Sequence, residues 1–249
     1  MEYKPLFSIA TPCFNSVKTI ERTIKSILAQ EFKDYEYIIV DGGSTDGTLD
    51  IIQKYEPMFE GRMKWKSEPD KGIYDAFNKG CQRAIGRFVW IVNSDDWMED
   101  GALQKIANID LNDNQIVIGG LNWIDERGEV YRTSIFNKRK IDYAYKTNRM
   151  IPHPATIVPK HIYEKYGYYN IKFKIAGDLD WFHRIYPKSD VQFTVINSPL
   201  NNMTIGGVST SSNFKKEIRE RKFFLKNKYG LGLRYMYNLL IWIVRYLRK

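Results

Sequence analysis

Two adjacent carboxylates, Asp95 and Asp96, follow an apolar run at residues 88–92 and the polar pair Asn93-Ser94. Neighbouring carboxylates repel each other, and a site that keeps both ionised generally supplies a cation. The same residues also suit the start of a helix, with Asp96 or Asp100 as its N-cap. Asp41 directly follows YIIV and precedes Gly42-Gly43. A carboxylate there can accept hydrogen bonds from the imino or hydroxyl donors of a nucleoside, or it can brace a turn. A third polar cluster spans residues 67–80. Within it Asp75 and Asn78 are three apart and share a helical face, and Lys71 stands where it can meet a phosphate, although a solvated helix start accounts for the same residues. GGSTDG lacks the Gly-Lys-Ser/Thr of a Walker loop, and no GxGxxG follows the first apolar run.

These residues gain meaning from the elements that must carry them. Apolar runs at 7–10, 35–40, 63–66, 88–92 and 116–118 read as strands. Between them lie helical spacings: Val17, Ile20, Ile24, Ile27 and Leu28, with Asn15 or Ser16 as N-cap; Leu49, Ile51, Ile52 and Tyr55 behind a capping Asp46; Ala76, Phe77, Gly80, Cys81 and Ala84 on a helix over 73–84; and a helix near 102–109. Strand–helix alternation predicts an α/β fold with a mostly parallel sheet and helices on both faces. The strand ends Thr11-Pro12-Cys13-Phe14-Asn15, 41–47 and 93–96 then share one edge, where open sheets of this kind bind ligands. Beyond Gly120 the expected order is a β-hairpin over 122–133, an irregular stretch over 134–175, a short helix over 178–185, a strand over 191–195 and a glycine- and serine-rich loop over 206–212.

Composition narrows the class. Two cysteines, Cys13 and Cys81, make neither a disulfide framework nor a metal cluster, and small buried thiols in a reducing compartment are expected. The first residues lack the pattern of a signal peptide, and Asn202-Met203-Thr204 is discounted as a glycosylation site. The net charge of +9 is uneven: residues 214–249 hold eleven Lys/Arg and two Asp/Glu, which accounts for all of it. A neutral body argues against nucleic acid as a partner.

FSIATPCFNSVKTIERTIKSILAQ, YIIVDGGSTDGT, EPDKGIYDAFNKG and NSDDW, in that order, make the chain resemble family 2 of the inverting glycosyltransferases. The likeness is close over residues 6–125 and returns at HPAT and AGDLDW. The resemblance implies a GT-A fold, a nucleotide-sugar donor (most often a UDP-sugar) and Mn²⁺ or Mg²⁺. It places Pro12 and Asp41 beside the nucleobase, Asp70 near the nucleoside, Asp75 and Asn78 near the donor sugar and phosphates, and Thr11, Asn15 and Ser94 in the same donor-binding set. Asp95 matches the last acid of the family's DxD metal motif, whose first acid is here Asn93; Asp96 matches a frequent extra acid. Asp178 matches the catalytic base, with Gly177 in place of the usual preceding Glu. His153, Asp180, Trp181 and Arg184 fall on the acceptor side without assigned roles, while His161 and His183 are expected to be structural.

The expected organisation is a GT-A domain over 1–213, with a nucleotide-sugar half (1–120) and an acceptor half (121–213), and a basic amphipathic tail over 214–249. Only ten residues separate Arg234 from Arg245, against the roughly 20 a spanning helix needs. Basic, aromatic and apolar residues together suit a helix lying on an anionic membrane surface; packing on the chain's own domain or on a partner subunit is the alternative. A cytoplasmic enzyme at the inner face of the plasma membrane follows, with a glycan or lipid-linked oligosaccharide as acceptor and oligomerisation left open. A nucleotidyltransferase would place a glycine-rich basic loop after the first strand, which TPCFNS lacks, and a non-catalytic sugar-nucleotide-binding module would not need Asp95 and Asp178.

Overall fold

The first half of the chain folds as its apolar runs demand: β1 (Phe7–Cys13), α1 (Ile20–Leu28), β2 (Tyr35–Asp41), α2 (Thr48–Tyr55), β3 (Met63–Ser67), α3 (Ile73–Arg83) and β4 (Phe88–Ile91). The computed structural model describes residues 4–205, 214–230 and 232–246. Every residue of β1 and β2 is buried, as in parallel strands covered on both faces. Alternate residues of β2 feed opposite cores, Tyr37 and Ile39 on one side and Ile38 and Val40 on the other. The first core takes Ile20, Ile24 and Ile27 of α1, and the second takes Ala76, Phe77 and Cys81 of α3. Both cysteines are free and buried.

β5 (Trp97–Met98), α4 (Ala102–Ala107), β6 (Gln115–Ile124), β7 (Val130–Ser134), α5 (Lys138–Lys146), β8 (Thr156–Pro159), α6 (Lys160–Tyr166), α7 (Gly177–Ile185) and β9 (Gln192–Thr204) complete the body. The sheet runs β3-β2-β1-β4-β8-β6-β9-β5, with β7 paired to β6. Pairing is parallel from β3 to β4 and between β6 and β9; β8 is antiparallel to both its neighbours, and β5 and β7 are also antiparallel. The fold is therefore α/β, with a parallel half and a mixed half of the sheet. The expected hairpin forms, with Asn122 opposite Thr133.

Several expectations change. Residues 134–175 are not irregular throughout: they contain α5, α6 and β8, which sits in the middle of the sheet. TIVP is too short for periodicity to reveal, and it gains its place from partners on both sides. β9 extends thirteen residues rather than five because it pairs along all of β6. Neither Asn15 nor Ser16 caps α1, which starts after Thr19 without a side-chain cap. Gly47 occupies the N-cap position of α2, and Asp46 contributes from one residue earlier by accepting the Thr48 N–H at 3.1 Å. Gly101 precedes α4, so neither Asp96 nor Asp100 is a cap. The 206–212 loop lies outside the described residues.

Residues 214–249 supply α8 (Phe214–Tyr229) and α9 (Leu233–Tyr246). Phe224 and Leu225 of α8 and Leu239 of α9 join the core that holds α7. No described helix is long and apolar enough to cross a membrane.

Candidate active site

Register alone aligns the polar strand ends: Cys13 pairs with Asp41, and Asp41 with Ser67. The Val92 N–H bonds the Ala10 carbonyl, which brings Asn93 beside the end of β1. Side chains then knit the loops together. Asn15, with a left-handed φ of 49°, accepts the Thr45 N–H at 2.9 Å and donates its own N–H to Ser44 Oγ at 2.7 Å. Ser16 Oγ and Ser94 Oγ lie 2.9 Å apart. Asn15 and Ser94 are thus shown as loop ties. Thr11 and Pro12 are buried in β1, Thr11 with an unpartnered Oγ1.

Asp41 is fully buried and already engaged. Its Oδ2 accepts from Gly43 N and Ser44 N, each at 2.9 Å, and from Ser67 Oγ at 2.6 Å, while Oδ1 accepts from Ser44 Oγ at 2.5 Å. Burial alone would raise its pKa, but these donors hold it below the ordinary value. The contacts are those of a carboxylate bracing the loop, and the exposed face beside it belongs to others. Phe14 is 60% exposed, and a Cβ added to Gly42 would collide with Asp70 Oδ2 and come within 3.3 Å of the Phe14 ring. Asp70 and the Phe14 ring therefore close directly over Gly42, where there is no room for a side chain. Asp70 also accepts the Gly72 N–H at 2.7 Å. Phe14 escaped the sequence reading because a lone aromatic after a strand carries no periodic signal.

Asp75 accepts the Lys71 N–H at 3.0 Å and pairs with Lys79 at 3.4 Å, so it organises the start of α3. Asn78 is engaged within the chain. Its amide nitrogen donates to the Tyr169 carbonyl and its oxygen accepts the Tyr169 N–H, both at 2.9 Å, which uses the side chain as a clip between α3 and the segment before α7. The shared helical face of Asp75 and Asn78 is real, but a backbone partner distant in sequence claims Asn78.

Asp95 and Asp96 divide sharply. Asp96 is 1% exposed and accepts from Asn93 Nδ2 at 3.1 Å; burial, then the charge of Asp95, pushes its pKa well above the usual range. Asp95 is half-buried, and its carboxylate accepts no hydrogen bond from another described residue. Burial raises its pKa too, with the Arg22 charge acting the other way. The backbone holds it instead: its carbonyl accepts from Arg22 Nη2 at 2.8 Å and from Thr204 Oγ1 at 2.9 Å, and the Arg22 guanidinium lies 3.7 Å from the centre of the Trp97 ring. Nothing in the local sequence distinguishes Arg22. Among the described residues no group of three His, Cys, Asp or Glu could hold a metal ion by itself. A single hard-oxygen ligand left unbonded at the strand end fits a divalent ion that completes its shell with ligand oxygens.

Asp178 lies in the first turn of α7, half-buried. Its Oδ1 accepts from Leu179 N at 2.8 Å and from Tyr74 OH at 3.3 Å, and burial is the main cause of a pKa raised to about 6. Gly177 is a close-approach glycine: a Cβ there would lie 2.8 Å from the Tyr74 ring. The missing Glu and the presence of Tyr74 are thus two sides of one packing choice. The same cavity wall includes His153, Tyr169 and Trp181. His153 stacks on Phe77 with ring centres 4.8 Å apart, and burial lowers its pKa to about 4, so it is neutral at pH 7.

The other acceptor-side residues are occupied. Arg184 binds Asp180 at 3.1 Å and the carbonyls of Tyr166 and Tyr168 at 2.9 and 2.6 Å. Trp181 is 3% exposed and donates to the Gly167 carbonyl. Asp180 and Arg184 therefore fasten α7 to the segment after α6. His161 meets Asn114 on the surface, and His183 is buried.

One line of contacts joins these parts. Ser94 meets Ser16, Asn15 meets the 41–47 loop, Gly42 meets Asp70, and Tyr74 on the helix that follows meets Asp178. The chain resembles known proteins in sequence and in fold. The sequence model described as glycosyl transferase family 2 matches residues 8–167. An uncharacterized glycosyltransferase of Mycobacterium tuberculosis is 30% identical over 189 residues, covering 74% of this chain and 70% of that protein. The putative teichuronic acid biosynthesis glycosyltransferase TuaG of Bacillus subtilis is 44% identical over 103 residues, 41% of each chain. S. aureus TarS superposes with a TM-score of 0.68 at 22% identity, over 94% of this chain but only 42% of TarS, a likeness of fold. A shorter form, TarS 1-349, solved with UDP-GlcNAc, gives 0.68 at 24% identity over 89% of this chain and 66% of that one.

Proposed function

Because the chain belongs to glycosyl transferase family 2, we propose that it moves a sugar from a nucleotide-diphosphate sugar to a hydroxyl of a glycan or lipid-linked oligosaccharide, with inversion at the anomeric carbon. The observation that carries this reading is the contrast between two carboxylates near one line of contacts: Asp95, whose carboxylate takes no hydrogen bond from another described residue at a strand end, and Asp178, half-buried with its pKa raised to about 6. A UDP-linked donor is supported by the TarS likeness, and a surface-polysaccharide acceptor by the relationship to TuaG.

The nucleoside is placed against the exposed Phe14 ring beside Asp70, with Asp41 holding that loop in shape. The diphosphate lies toward Asp95. Mn²⁺ or Mg²⁺ would be held there by Asp95 together with diphosphate oxygens, and a bound ion supplies charge stabilisation to the leaving group. Asp178 takes the proton of the acceptor hydroxyl as it attacks opposite the leaving group, a contribution of roughly 10²–10⁴ in rate. The Tyr74 hydroxyl, shared with the Ile175 carbonyl, and the Leu179 N–H both meet Oδ1, which orients the carboxylate. Asp178→Asn should abolish transfer, measured as released nucleotide, while leaving donor affinity within about twofold of wild type, since it removes only a transition-state role. Near-normal turnover in that variant would refute the assignment.

We further propose a cytoplasmic enzyme seated peripherally on the inner face of the plasma membrane through α9. Leu233, Met236, Tyr237, Leu240 and Val244 are 91%, 59%, 65%, 61% and 40% exposed and recur at helical spacing, in a tail that carries the chain's entire excess positive charge.

A further inference from the structure

The segment that leads into α7, residues 167–176, has no regular secondary structure, so its backbone polar groups need partners from elsewhere. Those partners are specific. Asn78 takes both polar groups of Tyr169, and the Tyr74 hydroxyl donates to the Ile175 carbonyl at 2.7 Å. The remaining grip comes from the C-terminal tail. Glu220 of α8, only 8% exposed, accepts the N–H groups of Lys174 at 2.7 Å, Ile175 at 2.7 Å and Ala176 at 3.0 Å. Three successive N–H groups around one carboxylate form an anion-binding nest, here filled from within the chain, and bonds to an ionised acceptor are the stronger kind. Ile175 is held on one side by Tyr74 and on the other by Glu220, and Asp178 follows three residues later. The ammonium of Lys174 donates to the Lys71 carbonyl, which ties the same segment to the loop that bears Asp70. Glu220 is one of only two acids in a tail with eleven basic residues.

We infer that Glu220 is a positioning residue for Asp178, and that α8 is part of the catalytic apparatus rather than only a route to the membrane-facing α9. The inference rests on the reading of Asp178 as the base. Misplacing a reacting group by about 1 Å can cost on the order of 10²-fold in rate. The test compares the full-length wild type with Glu220→Ala, Glu220→Gln and Asp178→Asn, measuring turnover and, separately, nucleotide-sugar binding by calorimetry. Expected is a kcat about 10- to 100-fold lower for Glu220→Ala, with donor affinity unchanged. Glu220→Gln, which keeps one acceptor oxygen, should fall between Glu220→Ala and wild type. Wild-type turnover in Glu220→Ala beside an inactive Asp178→Asn would overturn this inference and leave the base assignment standing. Parallel loss of donor binding and turnover in Glu220→Ala would also overturn it, since Glu220 would then merely support the fold. An active Asp178→Asn would remove the base and this inference together.

Discussion

At the scale of single residues, environment rather than identity separates the acids. Asp41, Asp95, Asp96 and Asp178 are all buried or half-buried, yet they differ in what they can do. Asp41 spends both oxygens on its own loop and on Ser67, and Asp96 is enclosed with Asn93. Asp95 is bonded through its backbone, and its carboxylate takes no hydrogen bond from another described residue, while Asp178 keeps a carboxylate whose pKa is raised to about 6. A base works only when deprotonated, so a folded-state pKa of about 6 places an acidic limb in the pH profile of kcat/KM near that value. Transfer should fall about tenfold for each unit below it. Tyr74→Phe removes a donor to the ionised form, so the limb should move to higher pH; a profile identical to wild type would exclude the hydroxyl as a determinant of Asp178 protonation. The acids themselves were legible as candidates because each ends an apolar run or opens a helix. Their division of labour was not, because desolvation and hydrogen-bond partners come from residues up to about a hundred positions away, as with Tyr74 and Asp178.

At the scale of elements, the site is an edge. β1, β2 and β3 end in register, and their loops close over one another through small residues and short polar side chains. Gly42 is the position where this closeness is least forgiving. Gly42→Ala should weaken nucleotide binding, because the added methyl displaces Asp70, and should lower stability by about 1–3 kcal/mol as an overpacking change. Calorimetric binding of free nucleotide and a thermal melt would check both; unchanged affinity would mean that the placement of Asp70 does not matter to the nucleotide. The strands and helices up to β4 could be read from apolar spacing with small errors at the caps. β8 could not, since four residues carry too little pattern and its place between β4 and β6 is decided by pairing. Asn78, which the family resemblance places near the donor sugar and phosphates, is bonded through both amide atoms to the Tyr169 backbone.

At the scale of the whole molecule, the tail has two unlike helices. α8 buries Phe224, Leu225 and Glu220 against the body, whereas α9 leaves an apolar stripe exposed. The uneven charge announced a tail with its own role; packing on its own domain is seen in Phe224, Leu225 and Leu239, and the membrane seat of α9 is the proposal. Met236→Glu with Leu240→Glu alters only the exposed stripe. It should reduce sedimentation of the full chain with phosphatidylglycerol vesicles by about tenfold, with little change toward neutral phosphatidylcholine vesicles. Equal sedimentation of variant and wild type would refute the membrane seat. Removal of everything after residue 213 would confuse the two roles, because it also removes Glu220.

The sequence by itself determined the alternating strands and helices, the edge on which polar residues gather and the family to which the chain belongs, since all three are written in local spacing and short motifs. Tertiary structure alone decided which acid is free, which is spent on its own loop, why Gly177 must be small and how a glutamate near the C-terminus comes to hold the segment before Asp178. Those outcomes depend on burial and on partners brought together only by packing, and a linear pattern carries no record of either.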